Sequence, residues 1–345
     1  MSQYALSVIM SSLAIGTITT LSSTHWFLAW VGLEINTLAI IPLMTKTHHP
    51  RGAESATKYF LTQAAASGLI LFSTTINAWT LGEWTITNLN HTSSTILTIA
   101  LAMKLGIAPF HLWLPDVMQG LSLATGLILS TWQKLAPMAL LIMINHQLNS
   151  NLLMLMAILS TVVGGWGGLN QVQMRKIMAY SSIAHLGWMI MVLTLSYTLT
   201  ILNLIIYIIL TTSMFMMMIN LYSTNINKLA TSWLKTPTLS ALMMITLMAL
   251  GGLPPTSGFL PKWLILQEMT KQHMGLMSTV MAMSALLSLF FYLRLSYVIS
   301  LTTAPNISNS NLTWRAQLKP AVTMPIIIIL SLMLMPVTPV LLTTI

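Results

Sequence analysis

Cysteine and charged residues are what this sequence lacks. None of its 345 residues is cysteine, and only 6% are charged, as 14 Lys and Arg and 5 Asp and Glu. The absence of thiols excludes disulfides, zinc or iron–sulfur ligation by cysteine, and a cysteine nucleophile. So small a charged fraction excludes an ordinary soluble domain, in which about a quarter of the residues are charged. It also excludes a disordered chain, which needs charge to stay solvated.

Long apolar runs take the place of the missing charge. Hydrophobic residues make up 55% of the chain, and the runs recur from one end to the other. A helix that crosses a bilayer needs about 20 mostly apolar residues. The sequence therefore predicts an all-α polytopic membrane protein, and it lacks the basic surface that a nucleic-acid-binding protein needs.

Polar and proline- or asparagine-rich breaks divide the chain into about eleven predicted transmembrane helices. Their approximate ranges are 3–22, 25–44, 56–79, 93–119, 122–143, 149–170, 175–195, 197–222, 237–270, 274–300 and 323–343. The fourth and the ninth are interrupted by proline, and they lie five helices apart. We therefore expect two inverted five-helix repeats, 1–143 and 149–300, and a final helix at 323–343. Since no soluble domain fits between the helices, residues 1–345 are predicted to form a single transmembrane domain.

Basic residues in the predicted loops lie almost entirely on one side of the membrane. The loops opposite the N-terminus hold a single one, Lys271. The nine on the N-terminal side are Lys46, Arg51, Lys58, Arg175, Lys176, Lys228, Lys235, Arg315 and Lys319. By the positive-inside rule, the N-terminus faces the cytoplasm-equivalent compartment. After an odd number of spans, the C-terminus faces the other one.

Four basic residues not assigned to either side remain inside the predicted helices, Lys104, Lys134, Lys262 and Arg294, and Glu34 joins them near the middle of the second helix. An unpaired charge near the bilayer centre costs about 2.5–3.5 kcal/mol, so Glu34 and the three lysines would cost about 10–14 kcal/mol if each stood alone in lipid. They must pair, face water inside the bundle or lose their charge, and each outcome is typical of a proton pathway. Arg294 lies near a helix end on the basic side, where its long side chain can reach the interface.

Prolines interrupt two helices next to lysines. Pro109 follows Lys104 in one helix, and Pro254 and Pro255 precede Lys262 in the other. Because proline has no amide to donate, it opens a helix, and open backbone at membrane depth persists only inside a protein or beside water. Ordinary kinks, whose helix ends solvate the lysines, are the alternative. The presence of one such break in each half of the chain, each next to a lysine, favours a transporter-like architecture instead.

Two histidines are candidate proton relays. His185 lies within the seventh predicted helix, and His111 lies beside the first helix break. A neutral imidazole can accept a proton on one nitrogen and release one from the other. A packed, hydrogen-bonded histidine is an equally good interpretation of both. The sequence shows no dinucleotide-binding motif, metal-ligand cluster or catalytic triad.

Five stretches of the sequence carry a family resemblance. They are residues 30–34, 104–116, 131–137, 174–185 and 251–262. Through them the chain resembles, over its full length, the NADH–ubiquinone oxidoreductase chain 2 family, which are mitochondrially encoded, antiporter-like core subunits of respiratory complex I. The resemblance implies that the chain is a subunit of a proton-translocating NADH:ubiquinone reductase. It implies proton translocation across the mitochondrial inner membrane, coupled to NADH oxidation and ubiquinone reduction in other subunits.

The resemblance also implies a role for each buried charge. The glutamate that matches Glu34 pairs with the lysine that matches Lys104. The lysine that matches Lys134 is a central relay, and the one that matches Lys262 communicates with the far compartment. Breaking the Glu34–Lys104 pair would send a proton towards Lys134 and Lys262, and re-forming the pair would restore the starting state.

Orientation, partners and cofactors follow from the same resemblance. It implies an N-terminus in the matrix, a C-terminus in the intermembrane space, and contacts with sister antiporter-like subunits of the membrane arm and with phospholipids, but not with nucleic acid. This chain would bind no cofactor, because NADH, flavin, iron–sulfur clusters and ubiquinone would belong to other subunits. Two alternatives remain open: a subunit of a cation/proton antiporter, and a structural membrane-arm subunit with no active channel.

Overall fold

The apolar runs of the chain fold into helices joined by short connections. The structure, a computed structural model, describes residues 2–46, 49–254, 256–301 and 323–344. A helix satisfies its own backbone hydrogen bonds, which is why apolar segments adopt this form where water is absent. The chain divides into two units, Met1–Ser160 and Thr161–Ile345, and the division falls within one helix.

The first unit contains seven helices and the start of an eighth. Their bounds are α1 Gln3–Ser22, α2 Trp26–Met44, α3 Pro50–Leu81, α4 His91–Leu105, α5 Trp113–Gly120, α6 Leu123–Ser130, α7 Trp132–Met143 and α8 Ser150–Gly168. Helix α1 packs against α2 and α7, and α3 packs against α2, α4 and α5. These contacts surround α2 and α4, the helices that carry Glu34 and Lys104.

Small residues allow α1 and α2 to approach closely. A Cβ atom on Gly16 would lie 2.5 Å from Asn36 Oδ1, and one on Gly32 would lie 2.5 Å from Thr19 Oγ1. Because lipid chains are as apolar as helix surfaces, close packing of this kind holds membrane helices together. Helix α2 is therefore held against α1 by the fit of their surfaces.

A backbone bridge ties the start of α2 to the segment after α3. His25 and Thr85 form an isolated antiparallel bridge, and the amide of Trp26 donates to the carbonyl of Trp84 over 3.1 Å. The first amides of a helix have no intrahelical partner. The bridge supplies one for α2.

The second unit is built around α9 and α10. Its helices are α9 Met174–Leu193, α10 Tyr197–Asn220, α11 Ile226–Ala230, α12 Ser232–Lys235, α13 Pro237–Gly251, α14 Phe259–Lys271, α15 Gly275–Leu301, α16 Thr323–Met333 and α17 Thr338–Thr344. Helix α10 packs against α9, α13, α14 and α16. In the most apolar 18-residue stretch of α9, 89% of the residues are buried. This helix is therefore almost wholly enclosed by protein.

A second backbone bridge ties the start of α9 to the segment after α10. Gln173 and Asn225 form the bridge, and the amide of Met174 donates to the carbonyl of Thr224 over 3.0 Å. Each unit therefore has a bridge between the start of one helix and the end of the next helix along the chain.

The helices bear out the predicted class of protein. Within the described ranges, eight helices are long and apolar enough to cross a membrane, or nine if the pair at Thr323–Met333 and Met335–Leu342, bent by 63°, counts as one span. The prediction of an all-α polytopic membrane protein is confirmed. The count of eleven spans and the inverted repeats remain predictions.

One predicted helix is divided in the structure. The span predicted at 122–143 consists of α6 and α7, which meet at the single non-helical residue Thr131. The hydroxyl of Thr131 donates to the carbonyl of Leu127 over 2.8 Å, and such back-bonding bends helices. The span predicted at 122–143 is thus present as Leu123–Met143, with an irregularity at this residue.

Another predicted helix is longer than expected. Helix α3 begins at Pro50 rather than near residue 56, so Arg51 and Lys58 lie in a helix and not in a loop. Proline is well suited to the first helical position, where its missing amide has no partner to lose. Arg315 and Lys319, in the predicted connection near 301–322, lie outside the described residues.

Candidate functional site

Glu34 lies half-buried on α2 and is held by two hydroxyl groups. Thr37 Oγ1 donates to Glu34 Oε2 over 2.7 Å, and Ser67 Oγ on α3 donates to Oε1 over 2.9 Å. Hydrogen bonds to a carboxylate are stronger than those between neutral groups. The two helices thus fix the carboxylate between them.

Lys104 and Lys134 line one cavity in the first unit. Their side chains are buried, at 6% and 5% exposure. The cavity has a volume of about 20 Å³, and about 10–15 Å³ suffices for one water molecule. Its other polar lining residues are Asn36, Thr37, Tyr59, Gln63 and Gln133. The structure therefore brings two of the predicted lysines together, and Thr37 joins them to the Glu34 carboxylate.

Glu34 and Lys104 do not form an ion pair in this arrangement. Among the described residues, no ion pair joins them, and Lys104 Nζ has no hydrogen-bond partner there. The hydrogen bonds of the Glu34 carboxylate come from hydroxyls instead. The pairing that the family resemblance implies is therefore absent here, and the Lys104 side chain lines the cavity without a direct acidic partner.

Lys134 lies where its own span is irregular. The break at Thr131 precedes it, and the amide of Lys134 donates to the Thr131 carbonyl, three residues back. Pro137 follows it within α7 and has no amide to donate to the carbonyl of Gln133. The regular helical ladder is therefore interrupted on both sides of this lysine.

Helix α4 ends in the middle of its predicted span. Gly106 has φ = 76°, a left-handed conformation that glycine adopts without strain. The amides of Gly106 and Ile107 both donate to the carbonyl of Ala102. Pro109 lies in the turn that follows, and the chain becomes helical again at Trp113.

Neutral side chains cap the open end of α4. Trp113 Nε1 donates to the carbonyl of Met103 over 3.1 Å, and Gln63 Nε2 donates to the carbonyl of Lys104 over 3.4 Å. The last carbonyls of a helix have no intrahelical partner, and in a membrane an unpaired polar group is expensive. Because Trp113 and Gln63 supply the donors, the Lys104 ammonium is not needed for this purpose.

Helix α13 ends in the same way in the second unit. Gly252 has φ = 80°, and the amides of Gly252 and Leu253 donate to the carbonyl of Met248. Pro254 lies in the turn that follows. Pro255, the third predicted break residue, lies outside the described residues.

Lys262 itself caps the open end of α13. Its Nζ donates to the carbonyl of Gly251 over 2.9 Å. A Cβ atom on Gly252 would lie 3.0 Å from that nitrogen, so the lysine packs directly on the break. The carbonyl end of a helix carries a partial negative charge that stabilises a nearby cation. Lys262 therefore donates a hydrogen bond to a carbonyl at the end of α13, as Gln63 does at the end of α4.

His185 lies with Lys262 at a second, smaller cavity. This cavity has a volume of about 10 Å³ and is also lined by Asn203 and Tyr207. The ring centroids of His185 and Tyr207 are 5.5 Å apart. His111 lies half-buried in the turn between α4 and α5 and is not part of the lining of the first cavity. The structure thus places one predicted histidine beside a lysine and the other outside both cavities.

Arg294 binds backbone carbonyls. Its guanidinium donates to the carbonyl of Leu169 and, over 2.6 Å, to that of Gln171. Both carbonyls lie just beyond the C-terminal end of α8, where a cation is favoured by the helix dipole. This contact agrees with the structural role expected for this arginine.

Uncharged amides are the site residues that sequence reasoning missed. Asn36, Gln63 and Gln133 lie in apolar helices, and all three line the first cavity. A polar amide in hydrocarbon also needs a hydrogen-bond partner, so its presence at membrane depth is a signal of the same kind as a buried lysine. Trp113 gives no such signal, because tryptophan is common in membrane helices.

Comparison with protein families identifies the family of the chain. Residues 23–288 match the family model described as "NADH:quinone oxidoreductase/Mrp antiporter, TM". The chain belongs to this family. Residues 289–342 match a second description, "NADH dehydrogenase subunit 2 C-terminus". Both cavities lie within the first match.

Curated relatives in the family match the chain from end to end. The chain is 59% identical over 345 residues to the NADH-ubiquinone oxidoreductase chain 2 of Xenopus laevis, covering 99% of this chain and 100% of the relative. It is 58% identical over 342 residues to that of Salmo salar, covering 98% of each. The resemblance stated from the sequence is confirmed.

Solved structures show the same fold. A chain of respiratory complex I from Thermus thermophilus, with bound aureothin, has a TM-score of 0.84 and 26% identity, covering 99% of this chain and 81% of that one. A chain of the Mrp complex from Dietzia sp. has a TM-score of 0.76 and 18% identity, covering 88% and 61%. The second likeness concerns the fold alone.

Proposed function

We propose that the chain is a core subunit of the membrane arm of respiratory complex I and that it translocates protons across the membrane. The observation that carries this proposal is the first cavity, which two buried lysines share with a set of polar side chains. Two amines at one cavity can exchange a proton through a single water molecule. The family and the full-length relatives support the same function.

Each predicted residue has a place in this proposal. Glu34 sets the charge balance around Lys104, and Lys134 receives the proton from Lys104. Lys262 exchanges protons with the far compartment, and His185, at the same cavity as Lys262, is its relay. Moving one charge against the membrane potential takes about 2.3 kcal/mol per 100 mV, a size that making and breaking one partly buried ion pair can supply.

His111 and the proline breaks have secondary roles in the proposal. Pro109 and Pro254 keep the two interrupted helices open, so that lysine side chains reach into the protein interior. His111 lies in the turn after the first break and is proposed as a relay between that turn and the aqueous phase.

The redox chemistry is proposed to lie in other subunits. This chain has no cysteine, so it offers no thiolate to an iron–sulfur cluster. NADH, flavin, iron–sulfur clusters and ubiquinone are accordingly assigned to partners of the same complex. This chain would then contribute to the enzyme only by moving protons.

Matching features in the two units support the proposed inverted repeats. In the first unit, a backbone bridge joins the start of α2 to the segment after α3. In the second unit, a bridge joins the start of α9 to the segment after α10. Helices α4 and α13, which follow, both end at a glycine with a left-handed backbone. We propose eleven spans on this basis, with α1–α7 and α8–α15 as the repeats and the bent α16–α17 pair as the final span.

We propose a mitochondrial inner-membrane location with the N-terminus in the matrix. The support is the unequal distribution of the lysines and arginines assigned from the sequence to the ends of the predicted spans, nine on the N-terminal side against one opposite. The exposed apolar side chains of α1, α3 and α15 are proposed to face phospholipids and sister antiporter-like subunits. The respiratory-chain relatives support such partners.

Replacing Lys134 with methionine in the assembled complex tests the proposal. Methionine has a similar length and no charge, so protons should no longer pass the first cavity. We expect the ratio of protons moved to NADH oxidised to fall, or both rates to fall together, in closed vesicles. Lys58→Met, which removes an exposed lysine of α3, is the matched control and should change neither. Unchanged rate and ratio in Lys134→Met would refute the proposal.

Measurements on the same vesicle preparation distinguish the proposed function from two alternative functions. A structural subunit with no active channel predicts normal turnover and pumping when Glu34, Lys104 and Lys262 are all neutralised. A cation/proton antiporter, which the family description also includes, predicts ion flux from the chain in vesicles without the redox subunits. Loss of pumping together with no such flux supports the proposed function.

A further inference from the structure

Asn36 is buried at the first cavity, and the polar atoms of its side chain have no hydrogen-bond partner in the part of the chain that the structure describes. Its exposed fraction is 2%, and neither Nδ2 nor Oδ1 has a hydrogen-bond partner among the described residues. It lines the same cavity as Lys104 and Lys134. Buried polar groups are nearly always paired, and ordered water provides the partner where the protein does not. The amide therefore requires water, and the cavity has the volume to hold it.

Helix packing does not account for an amide at this position. Asn36 packs on Gly16 of α1, where a Cβ atom would lie 2.5 Å from its Oδ1. In the second unit, Gly164 of α8 packs on α9, where a Cβ atom would lie 2.6 Å from the backbone nitrogen of Ala184 rather than against a polar side chain. Asn36 and Ala184 occupy the same position counted from the first residue of α2 and of α9. Since a methyl group suffices at the equivalent crossing, the amide of Asn36 serves another purpose.

We propose that Asn36 is a positioning residue whose amide holds a water molecule that bridges Lys104 and Lys134. This inference rests on the proposed function and deepens it. The Oδ1 atom of Asn36 faces Gly16 of α1, which leaves the Nδ2 group to donate a hydrogen bond to the water oxygen. Gln133 donates to the backbone carbonyl of Asn36 over 3.1 Å, which ties the helix of Lys134 to α2 at this residue.

The transfer step leaves the water unchanged. The ammonium of Lys104 gives a proton to the water oxygen, and the water gives one of its own protons to the neutral amine of Lys134. The N–H bond that breaks on one lysine is replaced by the N–H bond that forms on the other. Total charge in the cavity is constant, so the step needs no co-reactant.

Two variants of Asn36 in the assembled complex test the inference. Asn36→Leu keeps the shape and removes both polar atoms, whereas Asn36→Ser is smaller and keeps a group that can bind water. We expect up to about a tenfold fall in turnover-coupled pumping for the leucine variant, the size expected when one hydrogen bond is lost from the transfer step. We expect partial recovery in the serine variant. The solvent deuterium isotope effect on turnover should rise in the leucine variant, because proton transfer becomes rate-limiting.

Two controls separate the possible failures. Asn220→Leu removes an asparagine of α10 that lies outside both cavities and should leave turnover and the isotope effect unchanged. Lys134→Met is measured in parallel. If Lys134→Met stops pumping while Asn36→Leu pumps normally, the role of Asn36 is overturned and the proposed function stands. If Lys134→Met pumps normally, the proposed function itself fails. A serine variant as impaired as the leucine variant, with an unchanged isotope effect in both, would indicate packing alone and would also overturn the role.

Discussion

The two helix breaks of this chain have the same backbone and different caps. Helices α4 and α13 both end at a glycine in the left-handed region, and in both the amides of that glycine and of the residue after it donate to one carbonyl of the last turn. In α4, Trp113 and Gln63 satisfy further carbonyls. In α13, the ammonium of Lys262 does so.

The difference in capping gives the two lysines different properties. Lys262 is held against the negative end of a helix dipole, and its side chain helps to keep the break intact. Lys104 has no hydrogen-bond partner among the described residues, so its ammonium is available to water in the cavity. One lysine is thus part of the scaffold as well as of the pathway, whereas the other serves the pathway alone.

The largest expected effect is a difference in the stability of the complex between the Lys262→Met and Lys104→Met variants. The first leaves the buried carbonyl of Gly251 unpaired and should cost about 1–3 kcal/mol of stability. The second removes a buried charge and leaves no such group, so stability should stay constant or rise. The thermal unfolding midpoint of the assembled complex measures both. Equal losses in the two variants would contradict the difference in capping.

A smaller effect is expected from alanine at the two left-handed glycines. Gly106→Ala and Gly252→Ala should each cost about 1–2 kcal/mol in backbone strain. At Gly252 the new Cβ would also meet Lys262 Nζ at 3.0 Å, so proton pumping should fall more than at Gly106. Gly68→Ala is the control, because a Cβ atom there would meet no other described atom within 4 Å apart from the backbone of its own helix and its chain neighbours. Equal pumping in the first two variants would argue against a functional contact at the second break.

Removing one cap of α4 should have a still smaller effect. Trp113→Phe keeps an aromatic ring next to Tyr59 and deletes only the hydrogen bond to the carbonyl of Met103. We expect a loss of about 1 kcal/mol, the usual net contribution of one hydrogen bond, with pumping retained. Thermal unfolding and vesicle pumping assays report the two quantities separately. A loss of pumping with full stability would show that Trp113 acts in the pathway.

The smallest effect is expected at Asp116, which lies ten residues after Gly106, as Lys262 lies ten residues after Gly252. Its side chain is 51% exposed and forms an ion pair with Lys58 at 3.3 Å. Exposed pairs of this kind are screened by salt and contribute little. Asp116→Asn should therefore leave pumping unchanged at both low and high ionic strength. A clear loss of pumping would show that position in the repeat matters more than burial.

The buried lysines and the helix breaks could be predicted because their physical cause is local. A charge in an apolar run is expensive wherever the rest of the protein lies, and proline removes a hydrogen bond from any helix. Lys104, Lys134 and Lys262 therefore stand out from the sequence alone. The grouping of Lys104 with Lys134, and of Lys262 with His185, depends on how helices pack, which no local rule provides.

The features that escaped prediction are those that depend on tertiary contacts. The division of the span at Thr131 follows from back-bonding and a nearby proline within a packed bundle. The Glu34 carboxylate binds hydroxyls of Thr37 and Ser67 rather than Lys104, and this choice depends on the spacing of α2 and α3. A sequence identifies which groups need partners, whereas the packing selects the partners.

The most direct test of the account is the proton-to-NADH ratio of the assembled complex carrying Lys104→Met, measured in closed vesicles together with the rate of NADH oxidation. We predict an intact, thermally stable complex in which the ratio falls or both rates fall together, because a lysine that caps no helix end serves only the proton pathway. A stable complex with the unaltered rate and the unaltered ratio would contradict it.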